Sequence, residues 1–365
     1  MLVNHFKGKN MNGFYNDYDR VVIETPEERQ AKRKKQRRLF SRVFLALSVY
    51  ILVSQLVATG AYVVMAMLLS PDKYQSFASS SIWSVLISCA SQYLIAFPIL
   101  LLMLIGTDKA QNKERKKLSL SEFFLLFLIG EGLMYSGNFV GNFLNEIIGG
   151  LVGKMPENEI ASIITETPIW LIFIFMVIIG PIVEELIFRK LMIDRLSIYG
   201  DRMAIVFSAV AFGLMHGNLY QFFYATLLGA LLGYVYTSTR DVKYTIYMHM
   251  IVNFMGSVVT LLIQDYILEL YEALEVLQLG LPINIFALII SGIVTFIYTN
   301  LQYGMIVGGI IALVHYIRKK KISISPDKEI YLPDKEIAKG GFLNVGAILF
   351  LSFSLFTILL NLIVS

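Results

Sequence analysis

The sequence predicts an all-α fold, a polytopic transmembrane helical bundle of about nine spans. Of its 365 residues, 56% are hydrophobic and only 16% are charged, a composition that favours a membrane protein. Apolar runs of about 20 residues recur along the chain, which is the length that a helix needs to cross a bilayer. The runs are continuous rather than alternating, which argues against a transmembrane β-barrel. The single cysteine, Cys89, excludes an intramolecular disulfide framework and a Cys-based zinc cage.

A basic cluster at residues 32–38 immediately precedes the first apolar run. An excess of Lys and Arg beside a span marks the cytoplasmic side, so we expect the N-terminus to lie in the cytoplasm. The polar first 38 residues do not have the form of a cleavable signal peptide. Anionic lipid headgroups account for the basic cluster, so no nucleic-acid partner is expected. The expected location is the plasma membrane of a bacterium.

The spans and the loops between them divide the chain into four predicted parts. These are a cytoplasmic basic segment (1–38), a transmembrane hairpin (39–119), a transmembrane core (120–263) and a C-terminal transmembrane extension (264–365) with a cytoplasmic loop at 322–340. Residues 282–317 are long enough to cross twice, but a basic cluster follows them. One crossing, broken near 299–302, keeps that cluster on the cytoplasmic side.

A five-residue sequence occurs twice in the cytoplasmic loop, at 326–330 and 333–337. We interpret this duplication as a tolerated expansion of the loop, with binding of a partner as the alternative.

Ionisable residues occur in three apolar segments between residues 180 and 253. They are Glu184 with Glu185, then His216, then His249 followed four residues later by Asn253. An ionisable side chain inside a membrane costs several kcal/mol, so such residues are usually functional or paired. The three groups therefore predict one shared site.

Helical spacing separates the two glutamates. Glu185 and Arg189 are four residues apart and share a helix face, so they can form a salt bridge. Glu184 is offset by about a hundred degrees, which leaves it free to point into a cavity. The basic residues that follow, including Arg189 and Arg195, are expected to mark the cytoplasmic interface one to two turns beyond the pair.

A glutamate, two histidines and an asparagine around a water-accessible cavity are suited to hydrolysis. Glu184 can take a proton from water, and His216 can share that water or protonate a leaving amine. His249 and Asn253 can donate hydrogen bonds to a developing oxyanion. No cofactor is required for this chemistry. Zinc bound by Glu184, His216 and His249 is the alternative, because three such ligands with water as the fourth form an acceptable catalytic site.

With these motifs the sequence resembles the CPBP group of intramembrane proteases, which includes bacterial Abi proteins and CAAX prenyl endopeptidases. The resemblance covers roughly residues 120–262 and rests on Glu184-Glu185-x-x-x-Arg189, Phe212-x-x-x-His216 and His249-x-x-x-Asn253. It implies Glu184 as the catalytic carboxylate, His216 as its partner on the water, and His249 with Asn253 as the oxyanion-stabilising or additional ligand pair. Glu185, Arg189 and Phe212 would support the site.

The resemblance implies an endopeptidase that acts on a membrane-embedded or membrane-adjacent peptide or protein, with a CAAX-like peptide as one candidate. Its expected partners are that substrate and the lipid bilayer. The alternative is a membrane scaffold without proteolytic activity, which would modulate a sensor kinase or confer self-immunity to a bacteriocin. A transporter that uses Glu184 as a proton carrier is disfavoured, because the chain shows no internal inverted repeat.

Overall fold

The computed structural model describes residues 24–111, 114–154, 156, 158–319 and 324–364, and these residues form helices without strands. Eight of the described helices are long and apolar enough to cross a membrane, and a shorter one of 15 residues packs among them. The predicted helical membrane bundle is therefore confirmed. In chain order the helices are α1 (Pro26–Leu68), α2 (Pro71–Ala78), α3 (Ser81–Leu104), α4 (Leu120–Val152), α5 (Glu159–Glu166), α6 (Ile169–Tyr199), α7 (Asp201–Met215), α8 (Leu219–Thr239), α9 (Val242–Gln278), α10 (Ile285–Arg318), α11 (Asp334–Phe342) and α12 (Val345–Val364).

The short helix α7 lies at the centre of the bundle, in contact with α6, α8, α11 and α12. On one side, α1 packs against α3, α11 and α12. On the other side, α4 packs against both α8 and α10, and α9 packs against α10. The position of α7 matters for the site, because its C-terminal end carries His216.

Glycines allow α4 to approach its two partner helices closely, as its sequence predicts. A Cβ atom on Gly137 would lie 2.5 Å from the Cα atom of Tyr224 in α8, and one on Gly132 would lie 3.0 Å from the Cα atom of Gly309 in α10. Small residues at such contacts bring helix backbones together in membranes, where packing rather than hydrophobicity drives association. These contacts hold α4 against the core.

Helix α10 agrees with the expected single crossing but not with the expected break. It is one uninterrupted helix of 34 residues, from Ile285 to Arg318. The polar residues near 299–302 do not interrupt it, because the Asn300 side chain donates to the Phe296 carbonyl within the same helix (2.8 Å). Helix α9 is also longer than predicted, so the boundary expected at 263/264 falls inside it.

The duplicated sequence is packed against the bundle, which the interpretation as a mere loop expansion did not anticipate. In the first copy, the backbone N–H of Ile330 donates to the carbonyl of Ile198 at the end of α6 (3.0 Å). In the second copy, Ile337 is fully buried and its carbonyl accepts from the Gln36 side chain of α1 (2.8 Å). Glu336 also pairs with arginines of α1. The two copies therefore connect α6 and α1.

Candidate active site

Helix α6 carries the two glutamates at its midpoint, between two stretches of wider helical turns. The stretches Ile172–Ile179 and Leu186–Ile193 are π-helical, and Gly180–Glu185 between them is α-helical. π-Helical turns are rare and are frequent at functional sites. They displace the backbone around the glutamates from the regular register of one long α-helix.

Glu185 is fully buried and has two partners. Its Oε2 atom lies 3.0 Å from the Nε atom of Arg189, and its Oε1 atom lies 3.1 Å from the Nδ1 atom of His249. The contact with Arg189 is an ion pair without hydrogen-bond geometry, so neither of those two atoms has a hydrogen bond. The predicted salt bridge is confirmed, and the same carboxylate also orients a histidine.

Arg189, which the charge pattern places near the cytoplasmic interface, is enclosed inside the bundle. Its side chain is 0% exposed, and its guanidinium carbon lies 5.0 Å from the centre of the Phe212 ring, within cation–π range. Arg195 is buried as well and donates to Thr107. Both arginines contact partners inside the bundle, so their positions do not give the depth of the two glutamates in the membrane.

Glu184 is turned away from this ion pair and lines an internal cavity of about 310 Å³. Its side chain is 29% exposed, whereas that of Glu185 is 0% exposed. The Oε2 atom of Glu184 lies 3.7 Å from the Nε2 atom of His249. His249 therefore lies between the two carboxylates. Because Nδ1 faces the carboxylate of Glu185 as a donor, Nε2 is the nitrogen that faces Glu184 and the reacting groups.

His216 lines the same cavity, although it follows the far end of α7 from Asp201. The chain reverses directly after it, since Gly217 has φ of +69°, a left-handed conformation that favours glycine. The Nδ1 atom of His216 lies 2.8 Å from the carbonyl oxygen of Phe212. This contact fixes the ring and makes Nδ1 the protonated nitrogen, so Nε2 is left for the cavity.

The Phe212 ring contacts both histidines of the site, which accounts for the pairing of a phenylalanine with a histidine in its motif. Its ring packs edge-on against His216 (5.1 Å between centroids) and against His249 (5.7 Å). It also lies under the Arg189 guanidinium. One buried aromatic ring thus contacts both imidazoles and the guanidinium.

Asn253 also lines the cavity, and its orientation is fixed by α6. Its Nδ2 atom donates to the carbonyl of Met176 (2.8 Å). An amide nitrogen has two N–H groups, so the second remains available to a ligand. The structure therefore brings Glu184, His216 and Asn253 to one cavity, with His249 in contact with Glu184.

Sequence reasoning missed the wall that faces these residues, which comes from α1 and α3. Tyr50 of α1 and Cys89, Gln92 and Tyr93 of α3 line the cavity. This hairpin contains none of the three motifs, so the motifs alone do not indicate that it contributes to the site. A signal was present in α3, where Ser84, Ser88 and Gln92 recur at intervals of four residues in an apolar span. Such spacing places polar groups on one helix face.

Gly180 leaves space open beside the cavity-facing carboxylate. A Cβ atom at this position would lie 3.3 Å from the Tyr93 hydroxyl and 3.9 Å from Oε1 of Glu184. Any side chain here would enter the space between the hydroxyl and the carboxylate. The same Cβ atom would lie 3.0 Å from the carbonyl oxygen of Phe175, so glycine avoids a close contact at this position.

The residues present do not form a metal site in this arrangement. Among the described residues, no group of three His, Cys, Asp or Glu side chains converges closely enough to hold a metal ion. The Nε2 atom of His249 lies 3.7 Å from Oε2 of Glu184, and the rings of His249 and His216 both pack against Phe212.

The fold and the site together define a polytopic membrane protein with carboxylate and imidazole groups around an internal cavity. Residues 166–255, which contain all three motifs, match the family described as "Type II CAAX prenyl endopeptidase Rce1-like". The resemblance to the CPBP group is confirmed by this match, which supports a membrane peptidase in general.

A curated relative agrees with the family match. The chain is similar to "Putative membrane peptidase YdiL" of Bacillus subtilis (strain 168), with 25% identity over 186 residues. The aligned region covers 50% of this chain and 73% of the relative. No solved structure matches the chain.

Proposed function

We propose that the protein is an intramembrane endopeptidase that hydrolyses a peptide bond of a membrane-embedded or membrane-adjacent substrate. The observation that carries this proposal is the division of roles between the two glutamates. Glu185 is occupied by Arg189 and His249, whereas Glu184 faces a cavity that also contains an imidazole and an amide. A free carboxylate beside hydrogen-bonding groups is what activation of water requires.

In the proposed reaction, Glu184 takes a proton from a water molecule that His216 helps to hold. The resulting hydroxide adds to the carbonyl carbon of the peptide bond. Asn253, together with His249 beside Glu184, stabilises the oxyanion that forms. The C–N bond then breaks, and the proton held by Glu184 passes to the leaving amine. The products are a new carboxyl terminus and a new amino terminus.

The roles of Glu185, Arg189 and Phe212 are to position the other groups. Glu185 fixes the ring orientation of His249 through its 3.1 Å contact with Nδ1, in the way that a buried carboxylate orients a catalytic histidine. Arg189 balances the charge of Glu185, and both side chains are 0% exposed. Phe212 keeps the two imidazoles at fixed positions.

The proposal is tested by comparing the membrane peptides of cells that contain the wild type, Glu184→Gln or Glu146→Gln. Glu146 is an exposed glutamate of α4 and does not line the cavity, so its variant controls for the loss of one carboxylate. We expect cleavage products with the wild type and the control but not with Glu184→Gln. If Glu184→Gln retains every phenotype of the wild type, the scaffold alternative is favoured instead.

A further inference from the structure

A second cavity lies where α1 and α3 pass from their apolar to their polar parts, away from the candidate active site. Its volume is about 510 Å³, within the range of pockets that hold small molecules. It is bounded by one face of α1 and by the turn at residues 106–108 that follows α3. Four basic side chains, Lys34, Lys35, Arg38 and Arg42, line it together with a single carboxylate, Asp108.

The charges of this cavity are only partly compensated. Lys35 pairs with Asp108 (2.9 Å), and Arg42 donates to the carbonyls of Met103 and Ile105 at the end of α3 (2.7 and 2.8 Å). Carbonyl oxygens do not cancel the charge of the guanidinium. Lys34 and Arg38, the other two basic residues, have no carboxylate partner in the part of the chain that the structure describes.

Lys34 and Arg38 are four residues apart, so their side chains project from the same face of α1. With four cations and one carboxylate, the cavity lining has a net charge of +3. An anionic group placed there would replace water around cations that lack partners. Lys provides a compact charge and Arg a planar set of donors, and both bind phosphate oxygens.

The surroundings of the cavity indicate what carries the anion. Leu39 closes one side of the cavity and begins the apolar part of α1. On the outer surface of the bundle, Leu102 and Ile105 are each 65% exposed at the adjacent end of α3. A ligand bound here would thus have its charged group among basic residues and its remainder beside exposed apolar side chains. That is the chemistry of a phospholipid rather than of a free ion.

We infer that this cavity binds the headgroup of an anionic phospholipid, with its phosphodiester between Lys34 and Arg38 and its acyl chains along the end of α3. Basic pockets at the polar ends of membrane helices are suited to such headgroups. The turn that forms the cavity is tied to the helix of the active site, because the Thr107 hydroxyl accepts from Nε of Arg195 in α6 (2.6 Å). A bound headgroup would therefore stabilise α1, α3 and α6 against one another.

The test uses the full chain, purified in a neutral detergent and titrated with lipids that share the same acyl chains. Phosphatidylglycerol is compared with phosphatidylcholine and with glycerol phosphate, which has the phosphate but no acyl chains. Binding is measured by native mass spectrometry and by the midpoint of thermal unfolding. We expect phosphatidylglycerol alone to bind at micromolar concentration and to raise the midpoint.

The combined variant Lys34→Gln/Arg38→Gln should bind phosphatidylglycerol about 30-fold more weakly, since each basic residue near such a headgroup contributes about fivefold. The control Arg37→Gln/Lys73→Gln also removes two positive charges. Arg37 is exposed on α1 and Lys73 on α2, and neither lines the cavity. The control should bind as the wild type does.

Three results would overturn the inference. The first is equal binding by the combined variant and the control, which would show only a general attraction of charge. The second is that phosphatidylcholine binds as strongly as phosphatidylglycerol and raises the unfolding midpoint equally. The third is that glycerol phosphate does so, which would show a site for free anions. The helix content of both variants is measured by circular dichroism, so that a folding defect is distinguished from a loss of binding.

Discussion

Glu185→Gln and Glu184→Gln should have opposite effects, although the two residues are adjacent. Glu185→Gln removes one half of an ion pair whose side chains are both 0% exposed. Removing one partner of a buried pair typically costs about 3–5 kcal/mol, because the other charge stays buried without compensation. We therefore expect Glu185→Gln to lower the free energy of unfolding by about that amount. Activity would fall with the folded fraction and with the loss of a fixed His249.

Glu184→Gln should leave stability nearly unchanged and abolish cleavage. Its side chain is 29% exposed, and its contact with His249 is 3.7 Å long, beyond hydrogen-bond distance. A contact of this kind contributes about 0–1 kcal/mol. An amide cannot accept the proton of water, so the chemical step is lost while the fold remains.

The assay is unfolding in mixed micelles at increasing denaturant, followed by tryptophan fluorescence, with cleavage measured on the same preparations. The double variant Glu185→Gln/Arg189→Met supplies the control. It removes both charges and keeps an oxygen that can accept from His249, so it should recover much of the stability lost in the single variant. The reasoning is refuted if Glu185→Gln unfolds like the wild type but is inactive while Glu184→Gln cleaves.

Three further predictions concern the metal, the pH dependence and the helix contacts. A strong chelator should reduce activity less than Glu184→Gln does, and complete loss restored by stoichiometric zinc would show that the imidazoles and the carboxylate are zinc ligands. Hydrogen bonds from Arg33 hold the pKa of Glu336 at about 2, below its ordinary value of 4.5. The ion pairs of Glu336 with the arginines of α1 are thus fully formed above pH 4.5 and are lost as pH falls through about 2. A carboxyl ¹³C NMR titration of Glu336 with a midpoint near 4.5 would contradict this. Gly346→Ala places a methyl group on a backbone carbonyl of α1 and should cost about 1–3 kcal/mol, whereas Gly60→Ala, with open space around it, should not destabilise.

The sequence predicted the helices and the motif residues of the site on α6, α7 and α9, because both depend on local patterns. Hydrophobic runs define spans, and the spacing of four residues paired Glu185 with Arg189 before any tertiary contact was known. The spacing between Phe212 and His216 similarly placed them on one face, where their rings are in contact.

The remainder depends on contacts between distant parts of the chain. The burial of Arg189 was not predicted, because a local charge count does not show that a guanidinium is enclosed by Glu185 and Phe212. The contribution of Tyr93 to the cavity depends on how α3 packs against α6, which no motif encodes. For the same reason, the repeated loop sequence gave no sign that its two copies hold different helices.

The position of Tyr50 and Tyr93 has an evolutionary consequence. Both lie on helices that precede the matched segment at 166–255, whereas the proposed reacting groups all lie inside it. One wall of the cavity and the proposed reacting groups are thus encoded on separate stretches of one gene. Mutations in the first hairpin would reshape that wall while the proposed reacting groups stay the same.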